Sequence, residues 1–128
     1  MKKKLSRTTR RVILVACVTV WIGAAVMTHL PPGKTPSVSV SDEMLHFMGY
    51  FALTCAFQLT LWAYGHPRGR RFIIVLVVML LYATVDETSQ QLVNRCPAFD
   101  DWLADGLGVL TASGIDMLIS QFVRLRRT

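Results

Sequence analysis

Charged side chains are scarce in this sequence. They make up 17% of its 128 residues, whereas a soluble domain carries about 25%. The hydrophobic share of 52% excludes a disordered chain, and the shortage of charge argues against a coiled coil. Cysteine is also scarce, and three cysteines do not form the disulfide framework of a small secreted domain. A very apolar soluble domain or a small membrane protein remains.

Four apolar stretches, each of 19 to 22 residues, lie between the clusters of charge at 12–30, 44–64, 72–91 and 102–123. A helix rises about 1.5 Å per residue, so about 20 residues cross a hydrocarbon core of about 30 Å. The first and third stretches lack the polar face that a soluble helix bundle needs. The sequence therefore predicts an all-α membrane protein in which residues 1–128 form a single domain with four transmembrane helices.

The basic residues predict the orientation of these helices. Twelve of the 14 lysines and arginines lie in the N-terminal tail, the 65–71 loop and the C-terminal tail, which share one side of the membrane. The positive-inside rule places this side, and both termini, in the cytoplasm of a multi-pass cell-membrane protein. The net charge of +6 then indicates contact with anionic lipid and not with nucleic acid. A signal peptide cleaved after Ala25 is the alternative, and it would leave three spans.

Seven of the eight acidic residues lie at the opposite side, in outer loops or at the outer ends of spans. Asp42 and His46 share a helix face at a spacing of four residues, and Asp86 and Gln90 do the same in the third span. Acidic side chains at membrane depth cost several kcal/mol, so we expect them to face the bundle interior or water. The candidate binding residues of this outer cluster are Asp42, His46, Tyr50, Asp86, Glu87, Gln90, Arg95, Asp101 and Asp105.

The motifs in this cluster resemble those of the VanZ-like family of small membrane proteins. The family pattern D-x-x-x-H-F-x-x-Y matches residues 42–50, and D-E-x-x-Q matches 86–90. Arg95 follows, and then D-x-x-x-N-x-x-G aligns with 101–108, where Asp105 replaces the family asparagine and Gly108 is the final glycine. Glu43 replaces the usual lysine, so this chain is more acidic than the family pattern.

The resemblance implies a four-span membrane protein of the bacterial inner membrane. The family takes its name from a member associated with low-level resistance to the lipoglycopeptide teicoplanin. The resemblance therefore implies a cell-envelope protein that binds or modulates a lipoglycopeptide or a lipid-linked precursor. In such a binding module, Arg95 meets a phosphate or carboxylate and the lipid-facing grooves accept an acyl tail. The oligomeric state stays open.

Two other interpretations of the cluster remain. The cluster is purely structural if its polar groups do no more than tie the helix ends together. In a membrane enzyme acting on a lipid-linked substrate, His46 and Glu87 are the candidate catalytic residues, with His46 oriented by Asp42 as a general base. A divalent cation would then bind to Asp86, Glu87, Asp101 and Asp105. The sequence carries no recognised nucleophile, phosphate-loop or metal-site motif and indicates no cofactor, which favours binding over catalysis.

The remaining polar residues and glycines have structural interpretations. His29 lies near the outer end of the first span, and Arg71 lies in the solvated basic loop. Gly106, Gly108 and Gly114 indicate close helix contact in the fourth span. A final residue, the inner Asp116, is interpreted as a proton relay or as a side chain bonded to Ser113, Ser120, Thr54 or Thr60.

Overall fold

The computed structural model describes residues 5–30 and 39–126 and, for Arg124, only the backbone. The helices of this part are α1 (Arg7–Thr28), α2 (Asp42–Ala63), α3 (Arg68–Ser89), a 3₁₀ helix (Gln90–Val93) and α4 (Phe99–Leu125). The predicted all-α architecture is confirmed, and all four α-helices are long and apolar enough to cross a membrane. The basic positions at 2–4, 34 and 127 lie outside the described residues.

Helices α2, α3 and α4 begin two to four residues before the apolar stretches that predicted them. The Oγ atom of Ser41 accepts a hydrogen bond from the Met44 amide (3.3 Å) and caps α2, so that Asp42 and Glu43 form its first turn. Carboxylates are favourable there, because the first turn of a helix carries a partial positive charge. Hydrophobicity alone misses such polar first turns.

The helices run up and down, so each end of the bundle combines two helix starts and two helix ends. The guanidinium of Arg10, near the start of α1, lies 5.8 Å from the ring centroid of Tyr64, which caps the end of α2. At the opposite end His46 of α2 contacts Asp105 of α4, and Thr28 of α1 contacts Asp86 of α3. We call this second end, which holds the acidic residues of the three motifs, the acidic end, and the other the basic end.

Apolar side chains cover the outside of the bundle and also fill its core. The buried core cluster consists of Tyr50, Leu53, Val75, Met79, Ala83 and Val109. Val12 on α1 and Leu118 on α4 nevertheless remain 63% and 67% exposed. Such large apolar side chains on four long helices indicate contact with membrane lipid.

Gly108 lets α2 and α4 approach closely, and these two helices share the most extensive interface in the fold. A Cβ atom on Gly108 would lie 2.5 Å from the backbone oxygen of Phe47. The predicted close contact therefore holds for Gly108. It is wrong for Gly106 and Gly114, because Cβ atoms there would have ample space. Since Phe47 follows His46 and Gly108 lies one turn beyond Asp105, this approach also brings those two side chains together.

Candidate functional site

All four helices contribute side chains to one polar cluster at the acidic end. Its members include every predicted candidate residue, namely Asp42, His46, Tyr50, Asp86, Glu87, Gln90, Arg95, Asp101 and Asp105, together with Thr28, His29 and Ser89. These residues are far apart along the chain, and the up-and-down arrangement of the helices brings them together, as the order of the spans predicts.

The centre of the cluster is a buried pair between α2 and α4. Nδ1 of His46 lies 2.9 Å from Oδ1 of Asp105, and Nε2 of His46 lies 3.7 Å from Oδ2 of Asp101. His46 is 8% exposed and Asp105 is fully buried. The prediction that Asp42 orients His46 is wrong, because Asp105 holds this imidazole. The Asp42 side chain is 65% exposed at the surface, and its Oδ2 lies 3.8 Å from Nη2 of Arg95.

Asp86 on α3 is bound from α1 and α2. The Thr28 hydroxyl donates to its Oδ1 (2.9 Å) and the Tyr50 hydroxyl donates to its Oδ2 (3.4 Å). Nδ1 of His29 lies 3.7 Å from the same Oδ1 atom, and Nε2 of His29 is 2.8 Å from Oγ of Ser89. Thr28, His29 and Ser89 are members of the site that were not predicted from the sequence. Thr28 and His29 stand at the outer end of the first span and Ser89 stands within the D-E-x-x-Q motif, which are the signals that could have identified them.

Glu87 links α3 to the segment that precedes α4. The backbone amide of Ala98 donates to Oε1 of Glu87, and Nε2 of Gln90 donates to its Oε2 (3.4 Å). The chain reaches Ala98 by leaving the 3₁₀ helix at Asn94, whose φ of 58° lies in the left-handed region. Asparagine tolerates this conformation better than most residues. The turn thereby closes over the carboxylates of α3.

Arg95 lies at the rim of the cluster. Its Nη1 donates to the backbone oxygen of Thr28 (3.1 Å), which ties the turn to the end of α1. Among the described residues, the one carboxylate that forms an ion pair with Arg95 is the exposed Asp42, at 3.8 Å. The guanidinium keeps donors for a further anionic group, because a guanidinium has five N–H donors.

The three most buried carboxylates differ in how well they are satisfied. Asp86, Glu87 and Asp105 are 2%, 5% and 0% exposed. Oδ2 of Asp105 is buried and has no hydrogen-bond partner among the described residues. One ligand atom each from His46, Glu87 and Asp105 lies within 4.8 Å of the others, so this trio is able to hold a metal ion.

A small cavity lies beside the cluster, with a volume of about 40 Å³. Its wall includes Thr28 and Ala24 of α1, His46 and Tyr50 of α2, and Asp86 of α3. A cavity needs about 10–15 Å³ to hold one water molecule, so this one has room for a small polar guest. His46 and Asp86 therefore line this cavity in addition to contacting other side chains.

A separate ion pair, in which Arg71 is buried and Asp116 is partly exposed, lies toward the basic end. Nη2 of Arg71 is 2.9 Å from Oδ2 and 3.3 Å from Oδ1 of Asp116, and Arg71 is 6% exposed. The interpretation of Arg71 as a solvated loop residue is wrong, because α3 begins at Arg68 and carries it into the bundle. The partner predicted for Asp116 is also wrong, since Ser120 bonds its backbone oxygen and Ser113 bonds Gln58.

The chain has no match among protein-family models, curated proteins or solved structures. The resemblance to the VanZ-like family therefore depends on the motifs between residues 42 and 108 alone.

Proposed function

We propose that the chain is a VanZ-like protein of the bacterial cell membrane whose acidic end binds the polar head of a lipid-linked envelope precursor or lipoglycopeptide. The observation that carries this proposal is the burial of Asp86, Glu87 and Asp105 at one end of a four-span bundle. An acidic residue in a membrane span costs up to about 2.5–3.5 kcal/mol, the full cost applying at the helix centre, while an interhelical hydrogen bond contributes about 0.6 kcal/mol. Even at the reduced cost expected near the helix ends, three buried carboxylates at one place are more than is needed to hold four helices together.

The orientation is part of the proposal. Arg7, Arg10 and Arg11 at the start of α1 and Arg68 and Arg70 at the start of α3 lie at the basic end. By the positive-inside rule this end and both termini face the cytoplasm. The acidic end then faces outward, where lipid-linked precursors are used and where lipoglycopeptides arrive.

The polar head and the acyl chain of such a ligand would contact two different surfaces of the protein. Arg95 retains free donors for a phosphate or carboxylate, and its 3.8 Å distance from Asp42 makes that pairing easy to exchange. Asp42, which is exposed, and Asp101, whose side chain is 13% exposed, suit a cationic or hydroxyl-rich head group. The exposed apolar faces of the helices suit an acyl chain.

Catalysis on the same ligand is the second candidate function, and the His46–Asp105 pair favours it. A carboxylate 2.9 Å from Nδ1 fixes the orientation and tautomer of an imidazole, as a general base requires. Turnover of a lipid-linked substrate that is lost in His46→Gln and Asp105→Asn would support an enzyme. Stoichiometric binding of the intact ligand with no product supports the binding module.

The binding test uses the full chain in lipid nanodiscs, titrated with a lipid-linked cell-wall precursor and with teicoplanin. We expect Arg95→Ala to weaken binding by roughly 10- to 100-fold, because a hydrogen bond to a charged group contributes about 1.5–3 kcal/mol. The matched control is Arg70→Ala, which removes an exposed arginine at the basic end. Equal losses in both variants, or no saturable binding by folded wild type, would overturn the proposal.

The resistance role is tested separately in cells. Expression of the chain in a teicoplanin-sensitive host should raise the inhibitory concentration, and Arg95→Ala expressed at the same level should abolish the rise. Unchanged susceptibility with wild type in the membrane contradicts the glycopeptide part of the proposal and leaves lipid-linked precursors as the ligand.

A further inference from the structure

We propose that His46, Glu87 and Asp105 together bind one divalent cation of the Zn²⁺ or Mn²⁺ class. The site differs from the acidic cation site predicted from the sequence, because it includes an imidazole nitrogen and excludes Asp86 and Asp101. It stands independently of any lipid-linked ligand.

The geometry of the trio is close to that of a metal centre. Each residue offers one ligand atom, and the three atoms lie within 4.8 Å of one another. Ligands at about 2.1 Å around a tetrahedral ion are about 3.4 Å apart. Side-chain shifts of about 1 Å therefore bring the trio into coordination. The three residues come from α2, α3 and α4, so their backbones are held by the packing of the bundle.

Among the three most buried carboxylates of the described residues, Asp105 is the one with an oxygen that lacks a hydrogen-bond donor. Asp86 accepts from two hydroxyls and Glu87 from two N–H groups. Asp105 contacts His46 through Oδ1, whereas its Oδ2, although fully buried, has no partner among the described residues. An unsatisfied buried carboxylate oxygen costs free energy, and a bound cation removes that cost.

The ligand types indicate the class of cation. Imidazole nitrogen combined with carboxylate oxygen suits Zn²⁺ and Mn²⁺, whereas Mg²⁺ and Ca²⁺ prefer ligands that are all oxygen. Three protein ligands leave at least one coordination position open, as in metal sites that also hold a substrate or water. An oxygen of the head group proposed above fits that position, and this last step alone rests on the proposed function.

The test uses the full chain in detergent, stripped with chelator and titrated with ZnCl₂, MnCl₂ or MgCl₂ alone by calorimetry. We expect one equivalent of Zn²⁺ or Mn²⁺ to bind and Mg²⁺ not to compete. Asp105→Asn and His46→Gln should each weaken binding by at least about 100-fold, because loss of an outer-sphere partner already costs 10- to 100-fold. Asp100→Asn is the matched control, since it removes an exposed carboxylate in the first turn of α4, at the same end, and it should bind as wild type does.

Absence of saturable binding, or equal affinity in wild type and His46→Gln, would overturn the proposal. If the variants do not fold, the wild type decides: Mn²⁺-loaded protein should show electron spin-echo modulation from one imidazole nitrogen, and its absence overturns the site. Because no ligand other than the metal is present, failure here leaves precursor binding intact. Failure of precursor binding equally leaves the cation site intact.

Discussion

The two ends of the bundle bury charge in different ways. Toward the basic end, Arg71 faces Asp116 one to one, with a guanidinium nitrogen 2.9 Å from a carboxylate oxygen. At the acidic end, Asp86, Glu87 and Asp105 crowd together, and an oxygen of Asp105 lacks a partner among the described residues. Both arrangements lie between helices of the same four-span bundle.

The difference separates charged residues that stabilise the fold from charged residues that the fold accommodates at a cost in stability. An acid that serves packing alone has one opposite charge as its partner, as the partly buried Asp116 does. At the acidic end Oδ2 of Asp105 is buried and lacks a partner among the described residues, and no arginine or lysine forms an ion pair with that carboxylate there. Toward the basic end Nε of Arg71 also lacks a partner, but there the charges of Arg71 and Asp116 offset one another. A polar group retained against stability, as Asp105 is, marks a functional site.

The largest expected change in stability comes from a substitution at the basic end. Arg71→Met should lower the free energy of unfolding in detergent by about 3 kcal/mol, because it leaves Asp116 without its cation. The figure lies at the low end for buried pairs, since the Asp116 side chain is 32% exposed and solvent screens its charge.

The double variant Arg71→Met/Asp116→Leu is the control for this prediction. Replacing a whole buried ion pair with apolar side chains is often neutral, so stability should return to within about 1 kcal/mol of wild type. If the double variant is as unstable as the single one, Arg71 contributes by packing, and the two ends no longer differ as described.

A smaller effect is expected from the helix approach that builds the acidic end. Gly108→Ala places a methyl group against the Phe47 backbone, which cannot rotate away, and should cost about 2 kcal/mol. Gly114→Ala on the same helix meets open space, so its higher helix propensity should leave stability unchanged or raised by up to about 1 kcal/mol. Thermal unfolding in one detergent compares the two variants.

The Gly108→Ala substitution also tests whether the acidic end depends on the close approach of α2 and α4. Separation of α2 from α4 at Gly108 should pull His46 from Asp105 and weaken cation binding, while the Arg71–Asp116 pair stays intact. Cation affinity unchanged in a folded Gly108→Ala protein would contradict the dependence of the acidic end on this approach.

The architecture follows from the sequence, because span length and hydrophobicity are local properties of the chain. The residues that gather at the acidic end could also be predicted from the sequence, since an up-and-down order brings alternate helix ends together. Which of these side chains contact one another could not be predicted. Asp42 and His46 share a helix face by spacing, yet Asp105 from another helix holds the imidazole, because helix rotation and the close approach at Gly108 decide which side chains meet. Burial of Arg71 was missed because α3 starts before its apolar stretch.

The smallest expected effect is the most direct comparison of the two ends, because it makes the same chemical change in each. In metal-free protein Asp105→Asn removes a buried charge with an unsatisfied oxygen, while its remaining carbonyl still accepts from His46. Stability should stay level or rise by about 1 kcal/mol, because the variant no longer buries a charge, while the amide group that replaces Oδ2 still lacks a partner and limits the gain. Asp116→Asn removes the charge that faces Arg71 and should lower stability by about 2 kcal/mol.

Opposite signs for these two changes, measured by equilibrium unfolding after chelation, would establish that the acidic end stores a destabilising charge and the basic end does not. Addition of Zn²⁺ or Mn²⁺ should then stabilise wild type and leave Asp105→Asn unaffected, because a ligand stabilises the fold only where it binds the native state. A loss of stability in metal-free Asp105→Asn as large as that in Asp116→Asn would instead make the His46–Asp105 pair a structural contact of the same kind as Arg71–Asp116.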